Sequence, residues 1–532
     1  TKFFINGPLV PKYDFEMGQK IFEPNGFQRI EELLFDEKID TAELHKVAQT
    51  LHSRLSYSVS YFRTVRLTDA QLLEAIQLQL FRISSMNISG YDCTISLENI
   101  TETVSAVDGL QQAFQSFEHY TNDNASESSA TNAEAKKLYA QFQKQLIDAK
   151  KYLKKNPDYN SFDRLFFITN HINELTKTIV AFRKAIKLPQ INSLKAININ
   201  EPFMFGQEAL NMRYFALYND TNNLKTQMEL GKKIFYDSIL SNTGNKSCAS
   251  CHIPAKAFAD GLRVGKGTND MELPRNTPTL YNVSLQKLFF FDGRANNMEL
   301  QAFEVIHNKD EIGGNLEDAA KRMKADSTYV RMFQTAFPNT VNAQITSYGI
   351  MKAITEYERT LLSLDSRFDQ YIRGDKTALN AREINGYNLF AGKALCGSCH
   401  FFPLFNGTIP PRFKDTEFEV LGVPKSADNK KLDDDIGREK TVPFKELNRA
   451  FKTPTLRNIA LTAPYMHNGC YNTLEEVMDF YIKGGGVGFG FDVPNQTLPF
   501  DSLQLSQTEK EDIIFFMKSL SGKEANTSMI NY

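Results

Sequence analysis

The sequence predicts a mainly α chain, an N-terminal helical bundle followed by two smaller helical domains. Three observations carry that expectation. Apolar residues recur at helical spacing through the first part of the chain, where strand patterns are scarce. The helical periodicity lapses among Asn, Ile and Pro between Leu188-Pro189 and Glu201-Pro202. Beyond that point the chain repeats itself: Gly231-Lys232-Lys233-Ile234-Phe235 and Gly386-Tyr387-Asn388-Leu389-Phe390 each precede a similar short cysteine motif. The expected boundaries are residues 1–200 for the bundle and 201–380 and 381–532 for the two domains. A length of 532 residues leaves room for two or three cores, and a hydrophobic content of 42% is ordinary for a soluble globular protein.

In chain order, Leu44, Val47, Leu51 and Leu55 define one amphipathic stretch, and Leu73, Ile76, Leu80 and Ile83 a second. Phe166, Ile172 and Leu175 lie in a later one, after the breaks at Asn156-Pro157 and Asn160-Ser161. Thr41 and Thr68 are the expected N-caps of the first two helices, because a hydroxyl there accepts from an unpaired backbone N–H. The segment Gly26-Phe27-Gln28-Arg29-Ile30-Glu31 resembles the Gly-x-His-x-x-Glu signature of imelysin-like helical domains. Gln28 stands where that family has histidine, which weakens any metal-binding role there. His45, His52, His119 and His171 read as ordinary core or surface histidines.

The chemistry lies in Cys248-Ala249-Ser250-Cys251-His252 and Cys396-Gly397-Ser398-Cys399-His400. In such a run the two thiols add across haem vinyl groups and the adjacent histidine lies under the iron, so two runs imply two covalently bound c-type haems in cytochrome c-like domains. A zinc ribbon would use the four thiols together, yet each pair here has its own histidine. No thioredoxin-like strand pattern flanks either pair. Cys93 and Cys470 remain, and are expected as unpaired thiols. Thioether attachment of haem takes place outside the cytoplasm, which places the expected protein in a periplasm or on a cell surface. The formal charge of -2 argues against a nucleic-acid partner, and no apolar run approaches the length of a membrane span. Thr1 opens on a stretch without a basic n-region or a long h-region.

Around the motifs the chain resembles the bacterial di-haem cytochrome c peroxidases and their relative MauG. Leu240-Ser241, Ala257-Phe258-Ala259-Asp260-Gly261, Arg275-Asn276-Thr277-Pro278-Thr279 and Asp292-Gly293-Arg294-Ala295 match the first haem domain. Phe451 to Asn458, Ala463 to Gly469 and Thr473-Leu474-Glu475-Glu476 match the second. The resemblance implies that His252 is the proximal ligand of a peroxide-reacting haem and His400 that of an electron-relaying haem. It further implies a calcium ion held by Asn276 and the carbonyls of Thr462 and Pro464, and distal Gln301 and Glu311, with Glu311 the acid/base. Arg457 is expected as a haem-propionate partner, although a structural salt bridge reads the same way in sequence. Glu299 and Glu304 read as a solvated helix face, Asp433-Asp434-Asp435 as a solvated turn, and the glycine-rich Gly484–Gly490 run as a mobile segment.

Three departures from the family pattern matter. No histidine lies between His252 and His307 to cap the first iron, and Met271 is the one soft side chain in that loop. Phe291 replaces the tryptophan expected between the haems, leaving Tyr281 or Tyr465 as redox-active alternatives. Tyr481 occupies the position of the second haem's axial methionine, as in MauG, with Met478 and Met466 as alternative ligands. The implied function is peroxide reduction with electrons from a small cytochrome or another redox protein. The alternatives are a MauG-like oxidase acting through high-valent haem and a non-enzymatic electron-transfer or haem-sensing protein.

Overall fold

The computed structural model describes residues 12–14, 20–22, 25–121, 129–189, 195–206, 208–217, 221–339, 345–499 and 501–522. It divides into two compact units. The first comprises Thr1–Ala209 with Tyr387–Pro403, the second Leu210–Gly386 with Leu404–Tyr532.

In the first unit, among the described residues, a short antiparallel ladder, β1 (Lys12–Asp14) with β2 (Lys20–Phe22), precedes seven helices. These are α1 (Phe27–Phe35), α2 (Thr41–Thr64), α3 (Asp69–Ser85), α4 (Asn99–Gln115), α5 (Ser129–Lys155), α6 (Arg164–Phe167) and α7 (Asn173–Ala185). The α3 reading is met in full: Thr68 and Gln71 form a reciprocal capping box, and Leu73, Ile76, Leu80 and Ile83 are buried. At α2 the cap is one residue earlier than expected. Asp40, not Thr41, accepts from the amides of Ala42 and Glu43, because a carboxylate serves the positive end of a helix better than a hydroxyl. Phe114, Phe142 and Phe182 join α4, α5 and α7 around one aromatic centre, with ring separations of 4.3 and 5.2 Å from Phe114. Part of the expected linker, residues 190–194, lies outside the described residues; the chain after it is tied back by Asn198 N–H to the Ala209 carbonyl.

The second unit contains α8 (Leu224–Tyr236), α9 (Met298–His307), α10 (Leu316–Lys324), α11 (Ser327–Ala336), α12 (Ser347–Arg359) and α13 (Arg367–Ile372). It continues through the first part of α14 (Ala381–Phe390) to α15 (Leu474–Ile482), α16 (Gly485–Gly488) and α17 (Gln507–Ser519). Strands β3 (Phe418–Val420) and β4 (Ala450–Lys452) pair antiparallel, with Phe418 opposite Lys452. The repeat seen in sequence has a structural counterpart. A Cβ on Gly231 of α8 would stand 1.8 Å from the Ala353 carbonyl oxygen of α12, and one on Gly386 of α14 would stand 1.9 Å from that of Asp512 in α17. In each half, glycine lets the helix before a cysteine motif touch the backbone of a later helix. The Gly484–Gly490 run is not the mobile segment expected. It forms α16, and Gly486 packs so closely on Gly422 that a Cβ would meet its carbonyl oxygen at 2.4 Å.

Candidate active site

The first cysteine motif, in the second unit, is a single 3₁₀ turn over Cys248–Ser250. Ser247 and Ser250 cap it reciprocally, and it closes with His252 N–H on the Cys248 carbonyl at 2.9 Å. The ring Nδ1 of His252 pairs with the Phe258 carbonyl at 2.9 Å, an arrangement in which Nε2 is the nitrogen that could coordinate. Burial holds the imidazole below its usual pKa and so keeps it neutral, as a ligand must be. Cys248 leans on an apolar cluster of Phe235, Phe258, Tyr281, Phe289, Met298 and Leu361. Burial first, then the charge of Glu358, pushes its thiol up, while Cys251 is raised by burial, Asp260 and Glu311. Two free thiols, an oriented histidine and an aromatic bed fit a haem.

Glu311 follows α9 in a tight turn. Its N–H donates to the Asn308 carbonyl, and its carboxylate accepts from Asn308 Nδ2 at 2.8 Å. The turn is pinned from two sides, by Thr268 N–H on the Asp310 carbonyl at 3.0 Å and by the bridge between Ser241 and Gly314. Burial pushes the Glu311 carboxyl above its usual range, opposed by the Asn308 hydrogen bond and Arg294. Gln301 is half-buried in α9. Met271 is 45% exposed, so the soft side chain of that loop is turned to the surface.

Asn276 donates from Nδ2 to the Leu262 and Arg263 carbonyls, at 2.9 and 3.3 Å, and its backbone N–H reaches the His467 carbonyl at 2.7 Å. This seats it beside the loop carrying Thr462 and Pro464, with the amide oxygen turned from its two backbone partners. Among the described residues no group of three His, Cys, Asp or Glu side chains forms a metal site.

The second motif belongs to the first unit. Cys396–Ser398 forms the same turn, with His400 N–H on the Cys396 carbonyl at 3.0 Å, and burial pushes the Cys396 thiol up to about 12. The segment Tyr387–Pro403 packs on the bundle for identifiable reasons. Asn388 bonds Asp163 and the Leu165 amide, the Tyr91 and Phe401 rings lie 5.2 Å apart, and those of Phe205 and Phe402 4.2 Å apart. The buried guanidinium of Arg164 bonds the carbonyls of Ile88, Phe162 and Tyr159.

Several sequence readings change. The Arg457 guanidinium, expected on a propionate, makes a bidentate pair with buried Asp369 at 2.8 and 2.9 Å, which is the salt-bridge alternative. Glu299 is not solvated: it is buried and accepts from Arg359 and Thr355, at 3.2 Å each. Glu304 pairs with Arg294 at 2.8 Å. In the acidic run, Asp434 alone is a surface residue. Asp435 pairs with Arg275, and Asp433 accepts from Asn468 at 2.7 Å and lies 3.5 Å from His467. Gln28 is buried and donates to the Tyr91 carbonyl, so the position that is histidine in imelysin-like domains supports the fold here. Tyr481 is half-buried on α15, where Met478 is buried. Cys93 and Cys470 are free thiols, as expected.

Arg164, Glu358 and Lys452 escaped sequence reasoning, because helical and strand periodicity reads every charged residue as outward-facing. Glu358 is buried, and burial pushes its carboxyl up to about 8, with Arg359 opposing and Glu299 adding to the shift.

A family model described as di-haem cytochrome c peroxidase matches residues 225–377, a span that includes the first motif and Glu311. The chain is 34% identical over 301 residues to the methylamine utilization protein MauG of Methylorubrum extorquens, covering 56% of this chain and 79% of that one. It is 36% identical over 251 residues to the cytochrome c551 peroxidase of Nitrosomonas europaea, covering 47% and 71%. The crystal structure of a MauG-like protein associated with microbial copper homeostasis superposes with a TM-score of 0.50 at 30% identity, over 56% of this chain and 90% of that one. With this extent of shared sequence laid over the site built on His252, the chain belongs to the di-haem cytochrome c peroxidase family of oxidoreductases.

Proposed function

We propose that this chain reduces hydrogen peroxide to water in the periplasm, with electrons from a small cytochrome or similar donor entering at the haem of the second motif and used at that of the first. The observation that carries this reading is Glu311, a carboxyl raised by burial and held by a pinned turn within electrostatic reach of Cys251. Haem attached through Cys248 and Cys251, with His252 as ligand, supplies the redox chemistry. Glu311 moves a proton from one peroxide oxygen to the other, so that the O–O bond breaks with water as leaving group. Two further protons and two electrons convert the remaining oxygen to the second water. The exposed Met271 supports a first haem that reacts without prior release of a capping ligand. The amide oxygen of Asn276 and the carbonyls of Thr462 and Pro464 suit a calcium ion, a hard cation that takes oxygen donors. The Gln301 amide lies on the same helix as the start of the Glu311 turn and is proposed as a second polar group toward peroxide.

Glu311→Gln should leave haem content unchanged and slow peroxide cleavage by about a hundredfold or more. A parent rate in stopped-flow would remove Glu311 from the mechanism.

Tyr481 favours a second reading, the MauG-like oxidase. A phenolate ligand stabilises oxidised iron where a thioether favours the reduced state. Tyr481→Phe should then abolish the low-spin signature of one haem. An unchanged spectrum, or a near-infrared band of His/Met ligation in the parent, returns the ligand to Met478 or Met466.

A further inference from the structure

Lys452 ends β4, and its backbone N–H donates to the Phe291 carbonyl at 2.7 Å. Its ammonium donates to Gln286 Oε1 at 2.6 Å, and among the described residues no carboxylate lies within ion-pair distance of it. Three deep arginines of this unit differ. Arg275 faces Asp292 and Asp435, Arg359 faces Glu299, and Arg457 faces Asp369. A half-buried ammonium served by one neutral amide is poorly compensated, and desolvation pulls Lys452 down to about 8. An anion beside it would reverse that.

The surroundings indicate which anion. Gln286 directly follows the turn Val283–Leu285, whose Val283 belongs to the apolar cluster on which Cys248 rests. Phe289 of the same loop is another member, and Phe290 packs against the cluster. A macrocycle held by Cys248, Cys251 and His252 would set its apolar body against such side chains, and its carboxylates would need polar partners; Gln286 stands on the loop bordering the cluster, and Lys452 is bonded to that loop. Arg457, the sequence's own choice for a propionate, is already taken by Asp369.

We propose that Lys452, with Gln286 beside it, binds a haem propionate. This rests on the di-haem reading above. The haem is that of the first motif, which lies in the same unit as Lys452 and Gln286. The Lys452 ammonium raises the reduction potential of the haem it contacts, because a nearby positive charge disfavours the more positive ferric state.

The test is optical spectroelectrochemistry of the di-haem protein, comparing the parent with Lys452→Gln and Lys452→Arg. At a fixed poise, Lys452→Gln should lower the reduced-to-oxidised ratio of one haem about tenfold, equivalent to ~59 mV for one electron, and Lys452→Arg should restore it. The shift is expected in the high-spin signal of the first haem, and a shift confined to the low-spin signal overturns the assignment. Parent ratios at both haems in a fully loaded Lys452→Gln protein overturn the proposal while leaving the di-haem reading intact; a parent protein without haem absorption overturns both. Should Lys452→Gln fail to load haem, Lys452→His decides. Its potential should drop relative to the parent's as the imidazole loses its charge between pH 6 and pH 9, and a constant offset refutes the pairing.

Discussion

The two cysteine motifs have nearly the same local geometry and opposite supports. Cys248–His252 and Cys396–His400 each close one turn with the histidine amide on the first cysteine's carbonyl, at 2.9 and 3.0 Å. The first is carried by its own surroundings: Ser247 and Ser250 cap it, and Cys248 and Ala249 pack on aromatic residues within the same unit. The second begins from Leu395 in a left-handed conformation and is carried by the bundle. A Cβ on Gly397 would lie 3.1 Å from Ser89 Cβ and 3.2 Å from Ala391 Cα, and one on Gly392 would lie 2.5 Å from Arg164 Nη1. The same five-residue chemistry therefore tolerates alanine at its second position in one setting and takes glycine in the other. The N-terminal bundle supplies the wall behind the second motif.

The largest expected effect comes from breaking that wall. Arg164→Met strips the carbonyls of Ile88, Phe162 and Tyr159 of their buried donor and should destabilise the first unit by about 3–5 kcal/mol. Haem content at the second motif should fall while that at the first stays level. Haem quantification with thermal melting reads both, and equal losses at the two motifs would contradict the division of support.

A smaller effect sharpens the other side. Glu358 lies near Cys248 with its carboxyl raised from 4.5 to about 8, so the fold favours the protonated form. Its contribution to stability is complete below pH 4.5, the unfolded value, and is lost progressively as pH rises through about 8. Glu358→Gln should flatten this part of the profile, and thermal midpoints of both proteins from pH 5 to pH 8 check it. Parallel profiles would mean that Glu358 is ionised in the fold.

The smallest effect is the most direct comparison. Gly397→Ala should cost about 1–3 kcal/mol by overpacking on Ser89 and Ala391. The reverse change in the first motif, Ala249→Gly, should cost about 0.5–1 kcal/mol, the backbone-entropy effect alone. Denaturant midpoints measured on the di-haem protein would rank them, and equal costs would dissolve the distinction.

Much of the molecule was legible because local chemistry fixes it. The α3 pattern and its capping box, the paired glycines of α8 and α14, and both Cys-x-x-Cys-His turns depend on residues a few positions apart. Glu311 was reached through the family resemblance, and its turn, built from Asn308 through Gly314, is local as well. The failures share one cause. Glu299, Asp433, Asp435 and the glycine run were read as solvated or mobile, since a charge or a glycine in sequence carries no sign of the partner that will bury it. Those partners are Arg359, His467 with Asn468, Arg275 and Gly422.

The sequence by itself determined the mainly helical class and the two cysteine motifs with their histidines, because each is written in spacing shorter than two helical turns; the acid/base candidate came from the family resemblance. The tertiary structure alone decided that the second motif rests on the bundle, that Arg457 serves Asp369, and that Lys452 is left facing a neutral amide. Those outcomes depend on which distant side chains compete for each buried charge, and the cost of an unpaired charge in a desolvated interior decides that competition after the chain has folded.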